Sequence, residues 1–130
     1  MDIKQLAKDM IDALNLVPKE QVRIDVVSPD WSGSPEIRVV SDPTKPDIET
    51  QFGTFSETTI LGIHVFADTR EQAVKLHKPV DTAVYDKFEE LERQRGSGIL
   101  CIVRLERGSV QIPNSTAYQA YTSFRITVNA

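Results

Sequence analysis

The chain has 130 residues, 40% hydrophobic and 26% charged, with a net charge of −4 and an isoelectric point near 5.1. This is the size and composition of one folded domain with its own core, and the acidic balance gives no global electrostatic case for nucleic-acid binding. The single cysteine, Cys101, excludes an internal disulfide framework and a Cys-rich zinc site, and no export signal or bilayer-spanning apolar run is visible, so the expectation is a protein made in a cytoplasm with no membrane partner.

Residues 2–16 read as a short amphipathic helix. Ile3, Leu6, Ala7, Met10, Ile11 and Leu14 share one face, Lys4, Lys8, Asp9 and Asp12 take the other, and Pro18 follows the stop. The polar face is not rich in bases, which favours a helix laid on the domain's own sheet over a membrane-surface helix. Val22, Ile24 and Val26 alternate with Arg23 and Asp25 as a half-buried strand. A turn-rich connection follows, Ser28 through Pro35, and it holds the only tryptophan. Trp31 reads either as an anchor for a partner or as a lid over the core. Ile37, Val39 and Val40 make a second short strand.

Residues 41–57 look the least regular. They contain Pro43, Pro46 and Gly53, and set Asp42, Asp47, Glu49 and Glu57 against Lys45, four acids to one base for a local charge of −3. A loop of about 15 residues in a small domain is usually functional or mobile. The readings are an arm that orders on assembly, or a solvated hairpin loop.

The stretch 54–91 organises the rest. Thr59, Leu61, Ile63 and Val65 alternate with Thr58, Ile60, Gly62, His64 and Phe66, and both sets are largely apolar, so this strand is expected mid-sheet. Asp68 with Glu71 three residues on has capping-box spacing. Ala73, Leu76, His77, Val80, Val84, Phe88 and Leu91 then form one buried stripe on a helix from Thr69 to about Arg95. Pro79 interrupts it without breaking the phase of the stripe, so the expectation is a kink or two abutting helices. Gly96-Ser97-Gly98 ends the helix. Ile99 to Val103, apolar without alternation, reads as another central strand, and residues 104–110 as its polar end and a turn. Asn114-Ser115-Thr116 reads as turn chemistry. The last strand, 118–128, places Ala120, Thr122, Phe124, Ile126 and Val128 on one face and Tyr121, Ser123, Arg125 and Thr127 on the other.

The order gives an α+β fold: a mainly antiparallel sheet of four to six strands in a single domain, residues 1–130, with both helices on one face. The other face would show Ile60, His64, Phe66, Leu100, Ile102 and Tyr121. So apolar a surface suggests self-association. Catalysis has little support. His64 and His77 sit in strand and helix periodicity as packing residues, Cys101 lies among aliphatics where a thiol is inert, and no nucleophile elbow or HExxH spacing occurs. No catalytic residue, cofactor or metal is expected. Arg104, Arg107 and Arg125 against Glu106 lack the aromatic–basic pattern of an RNA-binding sheet.

This order of elements resembles the tail terminator, or tail completion, proteins of long-tailed bacteriophages. The likeness runs through the N-terminal helix, the strand 59–66 leading directly into Thr69-Arg70-Glu71-Gln72-Ala73, a polar hairpin at 104–113, and the closing strand 120–128. It covers nearly the whole chain as pattern and length. The resemblance implies a structural virion protein: a homo-oligomeric ring, typically a hexamer, at the head-proximal end of the tail. The ring ends tube polymerisation, meets the tail tube protein and the head–tail connector, and lets DNA pass without specific binding. It further suggests Asp42, Asp47 and Glu49 facing the lumen or the tube, and Arg104 and Arg107 at a subunit contact, with Trp31 and Tyr121 as further interface candidates. A head-completion or neck protein shares this plan. The reading from another class is a dimeric α+β binding module with the open sheet face as its pocket, and an enzyme resting on His64 and His77 is a third.

Overall fold

The computed structural model describes residues 2–26, 31, 33–42, 45–50, 53–112 and 117–129, with backbone alone for 45–50 and 53–55. In chain order these residues form helix α1 (Ile3–Ala13), a 3-10 turn (Lys19–Gln21) and strands β1 (Val22–Ile24), β2 (Glu36–Ser41), β3 (Lys45–Thr50) and β4 (Gly53–Ala67). Helix α2 (Arg70–Arg93) and strands β5 (Ile99–Gln111) and β6 (Tyr118–Asn129) complete it. The sheet order is β1-β2-β4-β6-β5, and β3 lies against β4 off that path. The fold is α+β, with a mixed sheet: β1 and β2 run parallel, and every other pairing is antiparallel.

Strand β4 is the axis. β6 pairs with it from Ser56 to Ala67, while its other side is shared, β3 taking the first part and β2 the stretch from Leu61 to Phe66. Leu61, Ile63 and Val65 are fully buried in one core with Ala7 and Ile11 of α1, Val80, Val84 and Phe88 of α2, and Phe124 and Ile126 of β6. The alternation of β4 therefore puts one set of side chains under both helices. The apolar face expected for β6 is the buried one.

The helix ends follow from local chemistry. Asp2 caps α1, its carboxylate accepting the Gln5 N–H at 3.0 Å. The cap of α2 is Thr69 and not Asp68: its Oγ1 accepts the Gln72 N–H at 3.1 Å. The cap thus lies one residue later than the acidic pair suggested, because Thr69 is the residue that holds the extended backbone of an N-cap. One helix runs through Pro79. The proline withholds an N–H from the carbonyl one turn back, yet Val80 and Val84 beyond it stay fully buried.

Four expectations change. Residues 45–50 and 53–57 are strand, not loop: β3 and the start of β4 pair as a hairpin from Lys45↔Thr58 to Thr50↔Gly53. Pro46 is tolerated there because β3 pairs only with β4, and the register shifts beside it at Pro46/Ile48 and Ile48/Glu49. Residues 104–110 are strand, the second half of β5. β5 is also the edge of the sheet and not a central strand. Its run of apolar residues without alternation has another cause: register shifts at Ile99/Cys101 and Arg104/Glu106 turn successive pieces of the strand over. For the same reason Ile102 does not join the open face. It pairs with Ile126 and is buried in the core. The Asn114-Ser115-Thr116 turn lies outside the described residues.

Candidate functional site

The second half of β5 and the first turns of α2 build a polar cluster on the helix side of the sheet. His77 and Asp81 are four residues apart on α2 and so share a face. Both are buried, and so is Thr122 of β6, whose hydroxyl lies 2.5 Å from His77 Nε2. Strict alternation would send Arg104 and Arg107 to opposite faces of β5. The extra residue at the Arg104/Glu106 irregularity turns both toward the helix instead, opposite Phe124 and Thr122. Both reach Asp81. Arg104 donates from Nε at 3.4 Å and from Nη2 at 3.2 Å, and Arg107 donates from Nη1 at 3.2 Å. The Arg104 guanidinium also lies 4.4 Å from the ring centroid of Tyr85, one turn beyond Asp81. Burial holds the His77 imidazole below its ordinary pKa, with Asp81 opposing and Arg107 and Arg104 adding to the shift.

Beside this cluster opens a groove of about 540 Å³, with Arg70, Lys78 and Arg107 among its lining and His77 and Asp81 reaching it from the buried side. Three cations face one carboxylate, a formal +2 on a chain whose total is −4. Arg70 is tied to β5 through its Nε, 3.2 Å from Ser109 Oγ. Lys78 is exposed and has no ion-pair partner among the described residues. Val74, one turn before Lys78 on α2, is 44% exposed beside it.

The open face of the sheet is more polar than its sequence suggested. Glu36 is 1% exposed and accepts from Arg38 Nε at 2.9 Å, with Arg23 Nε 3.6 Å from the same oxygen. The Arg38 guanidinium lies 4.5 Å from the Phe66 ring centroid. Val26, from the crossover between β1 and β2, borders a hollow with Arg38, His64 and Phe66. Phe66 is buried and Ile60 and His64 are half-buried, while Leu100 of β5, expected on this face, is 46% exposed. Tyr121 stacks on His64 at 6.2 Å between centroids, and its hydroxyl donates to Glu106 Oε1 at 3.4 Å. It lies flat over Gly108, where a Cβ would come within 3.0 Å of the Tyr121 hydroxyl. His64 Nδ1 meets the Gln119 amide. Burial and the Arg38 charge both lower the His64 pKa.

The expected interface residues thus fall into separate places. Arg104 and Arg107 meet at Asp81, a residue that sequence reasoning passed over; its signal was an acid one turn after His77 on a helix face otherwise buried. Tyr121 is on the opposite side of the sheet. Trp31 is half-buried in the β1–β2 crossover and donates from Nε1 to the Ser34 carbonyl at 2.7 Å, closing its own turn. Asp42 is exposed at the base of the β3–β4 hairpin, its N–H bonded to the Ile60 carbonyl at 3.1 Å. Asp47 and Glu49 lie on β3, and their side chains lie outside the described residues. Among the described residues no three His, Cys, Asp or Glu side chains converge as a metal site would require, and no helix is long and apolar enough to cross a membrane.

No protein-family model and no curated protein matches the chain. Among solved structures it is similar to a chain in the virion of a native gene transfer agent particle, with a TM-score of 0.60 and 14% sequence identity. The alignment covers 97% of this chain and 94% of that one. At that identity the likeness is one of fold, and it extends from end to end of both chains.

Proposed function

We propose that this chain is a structural protein of a phage-like virion, and that within it the chain forms a ring closing the head-proximal end of the tail tube. The single observation that carries the virion reading is the end-to-end likeness of fold to a chain of a gene transfer agent virion. The finer role, tail terminator, rests on the order of elements: an N-terminal helix, a central strand turning at once into a long helix, and a closing pair of long strands. In that role the protein performs no catalysis. Its partners are further copies of itself, the tail tube protein and the head–tail connector.

The architecture suits such work. A subunit of a closed ring needs two different complementary patches, one for each neighbour. This domain buries one sheet face under two helices, and its sheet ends on β5 on one side while β3 pairs with β4 alone. Native mass spectrometry of the purified protein, with and without purified tail tubes, tests the proposal. A ring of about six copies that binds tube ends is the expected result. A stable dimer indifferent to tubes would overturn it and favour the binding module.

A further inference from the structure

We infer that the groove between α2 and the second half of β5 receives the acidic β3–β4 hairpin of a second copy of this chain. The inference deepens the self-assembly proposed above and rests on it.

The groove is built for a carboxylate-rich occupant. Arg70, Lys78 and Arg107 line it, Arg104 lies just behind, and among the described residues the carboxylate in its lining is Asp81. Asp81 is already shared by the two β5 arginines. Lys78 and Arg70 are exposed, and neither has a carboxylate partner among the described residues. Exposed Val74 adds an apolar contact at the same place. The matching charge stands elsewhere on the same sequence. Residues 41–57 carry four acids against one base, the opposite sign at similar size.

A chain cannot satisfy its own groove. The hairpin is held to β4 between Gly53 and Thr58, while the groove borders Ala120, which pairs with Val65. Between those points β4 extends for seven to twelve residues, roughly 25–40 Å at about 3.3 Å per residue. Pairing with β2 and β6 keeps it extended over that span. The two charged regions therefore lie toward opposite ends of one strand. Joining them between copies gives a heterologous, head-to-tail contact, which is the kind that a ring repeats. It also gives Asp42, Asp47 and Glu49 a partner that a lumen-facing position does not.

Charge reversal on each side tests the contact. Arg70→Glu with Lys78→Glu alters only exposed side chains of the groove, and Asp47→Lys with Glu49→Lys reverses the hairpin. Circular dichroism and thermal melts establish that each variant folds. Each pair alone should weaken self-association by about tenfold or more in sedimentation or native mass spectrometry at low salt, and the wild-type association should weaken as salt rises. The combined four-residue variant should recover assembly. Mixing the two variants should restore assembly with the variants alternating, because the native groove meets the native hairpin at one contact and the reversed groove meets the reversed hairpin at the next. Self-association unchanged by groove reversal, or absent rescue in the combined variant, overturns the contact while leaving the ring and tail-capping role standing if tubes are still bound. A wild type that stays monomeric overturns both. Salt-sensitive binding of short duplex DNA that is abolished by the groove variant, with assembly untouched, would assign the groove to phosphate and overturn the inference.

Discussion

Asp81 is the side chain on which the polar cluster depends. It is 3% exposed, and two arginines donate to it. Removing it leaves Arg104, 32% exposed, against Tyr85 without this carboxylate, and losing the acceptor of a partly buried charged group costs about 1–3 kcal/mol. Asp81→Ala should therefore lower stability by that amount in urea titration. Arg107, whose side chain is 60% exposed, behaves as a surface partner, and Arg107→Ala should cost under about 1 kcal/mol. Equal costs for the two would mean that the arginines are held by something other than this carboxylate. His77 adds a pH dependence. Its folded pKa, like that of His64, is lowered from 6.5, mainly by burial. Below 6.5 the unfolded chain takes up protons that the folded chain refuses, so stability is full above that value and declines as pH falls through it. His77→Gln should make the decline shallower between about pH 7.5 and 5.5, as read from urea midpoints. Parallel curves for the two proteins would show that His77 titrates alike folded and unfolded.

At the scale of elements, the start of α2 separates two readings of the same four residues. Thr69 makes the capping bond and Asp68 makes none of that kind, so Thr69→Ala should cost about 1 kcal/mol and Asp68→Ala clearly less. The reverse order would restore the acidic cap suggested by the spacing. This difference of one residue is typical of what was legible. Elements with a clear period could be read directly: α1, the central β4, the stripe of α2 and the two faces of β6. What escaped had its period broken. β5 carries two register irregularities, so its alternation failed, its edge position was read as central, and its second half was read as a turn. β3 carries Pro46 and two shifts in six residues, so the hairpin looked like a loop. The same irregularities hid the cluster at Asp81, since only the one between Arg104 and Glu106 brings Arg104 and Arg107 to one side. The buried Glu36–Arg38 pair was hidden for another reason. Charged residues alternating along a strand usually mark a solvated face, and here Val26 borders the same hollow as Arg38.

For the whole molecule, the deciding quantity is how charge is distributed against what must pass by it. A ring that lets DNA slide through its hole works against itself if it binds phosphate. Non-specific binding draws almost wholly on lysines and arginines that displace counterions, and its affinity falls steeply with salt. This chain has a net charge of −4, and the cation-lined groove beside α2 is flanked by a buried carboxylate and offset by the acidic hairpin at the other end of β4. If the hairpin of a neighbour fills that groove, the assembled protein presents no cluster of free cations there. The assembled wild type should then show no retention of duplex DNA at about 0.15 M salt, even at protein concentrations near 100 µM, where non-specific DNA-binding proteins are already substantially bound. Fluorescence anisotropy of a labelled duplex reads this directly. The hairpin-reversed variant, Asp47→Lys with Glu49→Lys, frees the groove and adds two bases, so it should gain weak binding that disappears as salt is raised. Tight binding by the assembled wild type would instead mean that its cations face the nucleic acid, and a channel of that character would hold the DNA it is meant to pass.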